Sequence, residues 1–216
     1  MGEHKTYKTR FQDRAKARKY AHRFEQGAHK RINQREQKAV REIFAGLNGI
    51  QRIVDVPSGA GRFAPTLGQN GRILVEIDSA HEMLVFANER AVQAGLRTIC
   101  LQGDASVLPL GTASVDCVFC NRLLHHIYAG SERLAFLREF HRVTRRYLVI
   151  SFFDYHLFGS LRRALKKLKG RNPNYHEQPT REQFYAEVAQ AGFQVTRLVP
   201  AGPFWVAEKY LVLEKL

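Results

Sequence analysis

Short, nearly continuous apolar runs alternate with stretches of helical period along most of this chain. The runs fall at 52–56, 73–77, 98–102, 116–120 and 147–153. Between them, residues near 62–68, 80–94 and 131–144 place apolar side chains at helical spacing. Strands that are apolar on both faces need cover on both sides of their sheet, and helices between successive strands make the pairing parallel. Two later runs, FQVTRLVP and WVAEKYLVLEK, are joined by AGP and read as a closing hairpin. The pattern predicts a doubly wound α/β sheet with that hairpin at one end.

Ahead of the sheet, residues 10–47 contain no proline and read as helical, with Phe11, Phe24, Ile32, Val40, Ile43, Phe44 and Leu47 as the inward side. The pair NG then ends the helix before IQRIVDV begins a strand. Two capping boxes mark further helix starts: Ser79 with Glu82, and Thr180 with Gln183. There is no internal repeat and no low-complexity tract.

Composition refines this picture. The 216 residues suffice for one globular domain with an appendage. No apolar stretch approaches the roughly 20 residues of a membrane span, and MGEHKTYKTR lacks the apolar core of a secretory signal. Three cysteines, Cys100, Cys117 and Cys120, are too few for a disulfide framework, so a reducing, cytoplasmic setting is expected. Cys117 and Cys120 form a C-x-x-C, but inside the strand-like run VDCVFC. Residues three apart on a strand face opposite sides, about 10 Å apart, beyond disulfide reach. They read as plain buried cysteines, and no metal set is expected.

The net charge of +14 is unevenly distributed. Residues 1–49 carry thirteen Lys/Arg against five Asp/Glu, residues 160–172 carry six Lys/Arg and no acid, and the rest is balanced. The chain therefore divides into a basic helical extension at 1–49 and a domain at 50–216 that is charge-balanced apart from the basic segment 160–172. The two basic segments point to an anionic partner, with solubility as the plainer reading.

Candidate chemistry gathers at the strand ends. In VDVPSGAGRF, at 54–63, a strand carrying Asp55 runs into a turn holding Gly59 and Gly61, followed by a helical stretch. Such a turn lets backbone approach a ligand, and the helix start favours an anion. Asp78 ends the second strand, where a carboxylate would hold ribose hydroxyls. Asp104 ends the third, placed to accept from an exocyclic amine. Three acids at successive strand ends are costly if unpaired, and together they imply a polar ligand.

With VEIDSAHEML, LQGDASVLPL, SVDCVFCNRLLHHI and EFHRVTRRYLVISFF, this set resembles the successive motifs of class I S-adenosylmethionine-dependent methyltransferases, the ubiquinone/menaquinone-biosynthesis group in particular. The resemblance covers roughly residues 40–215. It implies a seven-stranded, mainly parallel sheet whose last strand is antiparallel, S-adenosyl-L-methionine (SAM) as cofactor and S-adenosyl-L-homocysteine (SAH) as product. It further implies that Asp55, Ser58, Gly59 and Gly61 line the methionine part of SAM. Asp78 would hold the ribose, Asp104 with the Ala105 amide would recognise adenine, and Asn121 would face the sulfonium. Two positions depart from the family pattern: Pro57 replaces its first glycine, and Glu76 replaces a small residue two before the ribose acid.

Methyl transfer from a sulfonium needs a general base only where the acceptor must lose a proton. The candidates are His125 and His126 after the fourth strand, and Tyr155 and His156 after the fifth; His126 is preferred, although a structural role competes for each. CNRL after the fourth strand is not the N/D-P-P-Y/F of exocyclic-amine methylation, and no Pro-Cys nucleophile is present. Residues 154–180 fall where the family builds a substrate cover. Leu157, Leu161, Ala164, Leu165 and Leu168 form an apolar stripe there beside Arg162, Arg163, Lys166, Lys167 and Lys169, suited to a membrane surface or an anionic substrate. The expected enzyme methylates an oxygen or carbon of a small or lipid-like, anionic acceptor, with membrane association possible. Rival readings are an RNA methyltransferase gripping phosphates with the extension, or a SAM-binding protein without turnover.

Overall fold

The computed structural model describes residues 11–154 and 179–216. Seven strands form one sheet: β1 Arg52–Asp55, β2 Ile73–Asp78, β3 Thr98–Gln102, β4 Val115–Cys120, β5 Thr144–Phe153, β6 Phe193–Pro200 and β7 Glu208–Lys215. Their order is β3-β2-β1-β4-β5-β7-β6. Parallel pairs run from β3 to β5, while β7 lies antiparallel to both β5 and β6. The expected doubly wound seven-stranded sheet is therefore present. The chain order reverses between β1 and β4, which opens a crevice at the carboxyl ends of those strands.

Helices cover both faces. They are α1 Arg14–Ala21, α2 Gly27–Ala45, α3 Ala64–Leu67, α4 His81–Gln93, α5 Gly130–Val143 and α6 Arg181–Gln190. Strand alternation sends Val54, Val75, Val118 and Cys120 to one core with Phe136, Phe140 and Phe184. It sends Ile53, Leu74, Cys117 and Phe119 to the other, with Val40, Ile43 and Phe44 of α2. The extension read over 1–49 and the domain read over 50–216 thus share this second core. Cys117 and Cys120 enter opposite cores as free thiols, and burial pushes both thiol pKa values up.

Three expectations are corrected. The helix read over 10–47 is broken: α1 ends at Ala21, a short 3-10 turn spans Arg23–Glu25, and α2 begins at Gly27 with φ +56°. The break lets Phe24 turn against Tyr20, with ring centroids 5.9 Å apart, while Val40 and Phe44 enter the core under the sheet. The capping box expected at Ser79 does not form, because α4 starts at His81 behind Ala80. Asp78 takes that place, its Oδ1 accepting from the Ala80 N–H at 2.9 Å. The fifth strand starts at Thr144, directly after α5, rather than at 147. The Thr180 box is formed, with Thr180 Oγ1 accepting from the Gln183 amide and the Gln183 side chain accepting from the Thr180 amide.

Phe119 is fully buried, with its ring centroid 4.9 Å from Phe63 and 6.2 Å from both Phe44 and Tyr210. Phe119→Ala is expected to lower the unfolding free energy by about 3–5 kcal/mol, read from the denaturation midpoint at unchanged slope.

Candidate functional site

The site is built where β1 meets the glycine turn. Gly59 and Gly61 take φ of +55° and +65°, the left-handed region that glycine enters without strain. Pro57, in a cis peptide after Val56, sits outside that region's demand, and the neighbouring amides bond elsewhere. Val56 N–H donates to the Phe119 carbonyl and Ser58 N–H to that of Ile77, each at 2.9 Å. Gly61 is further constrained by space: a Cβ there would stand 2.7 Å from Glu76 Oε1 and 2.9 Å from the Ala87 Cα. Asp78 ties the turn to β2, its Oδ2 accepting from the Gly59 N–H at 2.9 Å.

Beyond the turn lies a cavity of about 710 Å³, within the range of small-molecule sites. Ser58, Gly59, Asp78, Asp104, Ala105 and Asn121 all line it, as does His126. Asp104 is held in place by Ser106, whose N–H and Oγ both donate to its Oδ1 at 2.9 and 2.8 Å. Asn121 Oδ1 accepts from Tyr210 Oη at 3.0 Å. Asp55, beneath the turn, and Gly61, within it, are not among the lining residues. His125 is likewise absent from the lining and packs on Phe153, with ring centroids 4.8 Å apart. Burial, with His126 and Arg122 adding to it, lowers its pKa to about 3, so the ring is neutral at physiological pH. Tyr155 and His156, and the apolar stripe from Leu157 to Leu168, lie outside the described residues.

Asp55 is buried with neither carboxylate oxygen partnered by protein. Burial, then the neighbouring Glu76, pushes its pKa well up, and burial likewise raises Glu76 to about 7. Both acids lie side by side in the β1–β2 register. Asp78 is also raised by burial, against the amides of Ala80 and Gly59. The orphaned carboxylate oxygens of Asp55 lie under the turn of positive-φ glycines, where they suit a cationic group, while Asp78 and Asp104 line the cavity as acceptors. The donor set therefore fits a nucleoside carrying an ammonium.

The chain's front half closes the site. Tyr20 and Phe24 line the cavity with Arg62 and Arg122. Glu36 of α2 bonds Arg62 at 2.5 Å and also pairs with Arg122, which reaches Glu208 at 2.8 and 3.1 Å. Burial opposes ionising Glu36, yet the two guanidiniums hold its carboxyl below the ordinary value. Glu208, buried beside Glu36, is raised to about 7. Arg62 also lies over the Phe24 and Phe63 rings, 4.4 and 4.1 Å from their centroids. Arg122 adopts φ +57°, and its N–H donates to Ser151 Oγ at 2.7 Å.

These partners were missed in the sequence, although one signal was available. Glu36 stands four residues from Ile32 and four from Val40, a carboxylate inside the apolar stripe of α2. Tyr210, Arg122 and Glu208 carry no comparable local mark.

Strand order, glycine turn and acid-lined cavity are those of the class I methyltransferase fold. Residues 54–151, a little under half of the chain, match the methyltransferase domain family. Among solved structures, the chain resembles magnesium protoporphyrin IX methyltransferase from Synechocystis PCC 6803 with bound SAH. That match has TM-score 0.75 and 20% identity, covering 92% of this chain and 94% of that one. A SAM-dependent methyltransferase from Aquifex aeolicus matches at TM-score 0.62 and 22% identity, over 94% and 99% of the two chains. A curated relative, the biotin biosynthesis bifunctional protein BioHC of Cellvibrio japonicus, is 36% identical over 73 residues. That match spans 34% of this chain and only 14% of the relative's length.

Two outcomes follow from these contacts. Glu76 binds its proton more tightly in the fold, at about 7 against an ordinary 4.5. Unfolding free energy should therefore fall as pH rises between those values and level off above them. Glu76→Gln should flatten that decline, gaining on the order of 2–3 kcal/mol at pH 8 and little at pH 4, in denaturant titrations across pH. Glu36→Ala, which leaves two guanidiniums without their shared carboxylate, should cost about 3–5 kcal/mol in the same measurement.

Proposed function

We propose that the chain transfers a methyl group from SAM to an oxygen or carbon of a small or lipid-like, anionic acceptor. The observation that carries this reading is the cavity at the β1–β4 switch point, with Asp78 and Asp104 facing it on one side and Asn121 with His126 on the other. When bound, SAM supplies an electrophilic methyl group on a sulfonium, a good leaving group. The protein's task is then to orient, to exclude water and, where the acceptor requires it, to take a proton.

In this reading Asp78 and Asp104 hold the nucleoside, and the Asp55 carboxylate under the turn offers the acceptor for the methionine ammonium. Phe24 and Tyr20 keep water from the reacting end, and Arg62 and Arg122 hold that wall to the sheet through Glu36. His126 is the base candidate that reaches the cavity, and the neutral His125 beside it, with ring centroids 3.9 Å apart, positions it. The anionic character of the acceptor rests on the +14 charge and its concentration in two segments. The relatives' names support methyl transfer to small molecules, and the substrates they name remain theirs.

Calorimetric titration with SAM and SAH tests the reading. Wild-type protein should bind both, and Asp78→Ala should weaken binding by about 10- to 100-fold, as expected for lost hydrogen bonds to a charged group. Gly59→Val, which places a β-branched residue at φ +55°, should abolish binding. A folded wild type that binds neither ligand would overturn the proposal.

A further inference from the structure

The turn between β6 and β7 carries a feature outside the cavity lining. Phe204 and Trp205 stand side by side at 71% and 66% exposure, their rings edge to face with centroids 4.9 Å apart. Val92, Ile99, Val107, Tyr128 and Leu216, the other exposed large apolar residues described, stand singly in sequence, as is ordinary on a soluble surface. Because β7 runs antiparallel to β5 and β6, this turn lies at the carboxyl end of the parallel strands, the same end as the cavity.

Cations of α2 lie beside the turn. A Cβ on Gly202 would lie 3.3 Å from Arg35 Cδ, so the turn packs directly on α2. Arg31 and Lys38, four residues before and three after Arg35, share its side of the helix and are exposed. The Asp154 N–H donates to the Ala207 carbonyl of this turn at 2.8 Å.

We infer that Phe204 and Trp205 form an interfacial anchor that seats this face on an anionic phospholipid surface. The aromatic pair projects at the tip of a turn, and the cations lie beside it on α2. That arrangement lets rings enter the acyl boundary while Arg31 and Lys38 stay at headgroup level. A single-stranded nucleic acid would instead need ring faces and cations along one track for stacking, whereas an edge-to-face pair presents a wedge. An anchor at the carboxyl end would hold the cavity mouth toward the membrane. It does not depend on the acceptor's identity.

Trp205 is the only tryptophan in the chain, so its emission reports the anchor directly. Full-length protein is titrated with neutral phosphatidylcholine vesicles, with vesicles containing phosphatidylglycerol, and with a single-stranded RNA oligonucleotide. With anionic vesicles the emission should shift to shorter wavelength and be quenched by brominated acyl chains. Phe204→Ser, which keeps the reporter, should reduce the shift. Arg31→Glu with Lys38→Glu should weaken partitioning by about tenfold or more, from the attraction of each lost cation. Emission unchanged by anionic vesicles would overturn the anchor, even if the protein sediments with them, since another segment would then be docking. An equal shift with neutral vesicles would overturn it as well, and so would a shift with RNA alone. Calorimetric SAM binding, measured on the same variants and expected to be unchanged, separates failure of the anchor from failure of the methyltransferase reading.

Discussion

One buried carboxylate, Glu36, holds together the parts that make the cavity. It meets Arg62 from the end of the glycine turn and Arg122 from the turn after β4, and Arg122 continues to Glu208 on β7. Four segments distant in sequence are thereby joined by groups that could not be left charged and buried alone. The cluster also sets the local electrostatics. Two guanidiniums over two carboxylates leave Glu36 ionised, while the second acid, Glu208, is driven toward neutrality. With Arg62 drawn over Phe24, the N-terminal helices become a wall of the cavity instead of an appendage.

Beneath the turn the logic is opposite. Asp55 and Glu76 are buried neighbours with orphaned oxygens, and no cation among the described residues bonds either directly. Such an arrangement costs stability, which a fold tolerates where a ligand or a proton completes it. Gly61 shows how tightly this layer is packed, since any side chain there would strike Glu76 and the α4 backbone. The stability of the turn thus rests on the same few ångströms that hold these acids. The cavity itself differs: aromatic rings and His126 line it along with the acids, and it lies at the end of the sheet that also carries the Phe204–Trp205 turn.

Much of this was legible along the chain. Apolar runs with intervening helical periods specify a covered parallel sheet, because each strand's two faces must both find apolar cover. The pairing of Gly59 and Gly61 with acids at the ends of β1, β2 and β3 marks the ligand end, because local spacing alone places strand ends together in a parallel sheet. Cys117 and Cys120 could be assigned to opposite faces from the two-residue strand period alone.

Other features were decided only by tertiary structure. The break between α1 and α2 follows from two packing targets, the cavity wall and the core, that no helical period distinguishes. The Asp78 carboxylate accepts from both the Gly59 and the Ala80 N–H, just ahead of α4, an arrangement that depends on β1 and β2 lying side by side. The separation of His126, on the cavity, from His125, half-buried against Phe153, depends on a strand residue 28 positions after His125. The sequence by itself determined the sheet, the glycine turn and the acids that serve it, because these rest on short-range periodicity and backbone conformation. Tertiary structure alone decided the Glu36 cluster and the neighbours of each titratable group, because ion pairs and desolvation depend on distance in space.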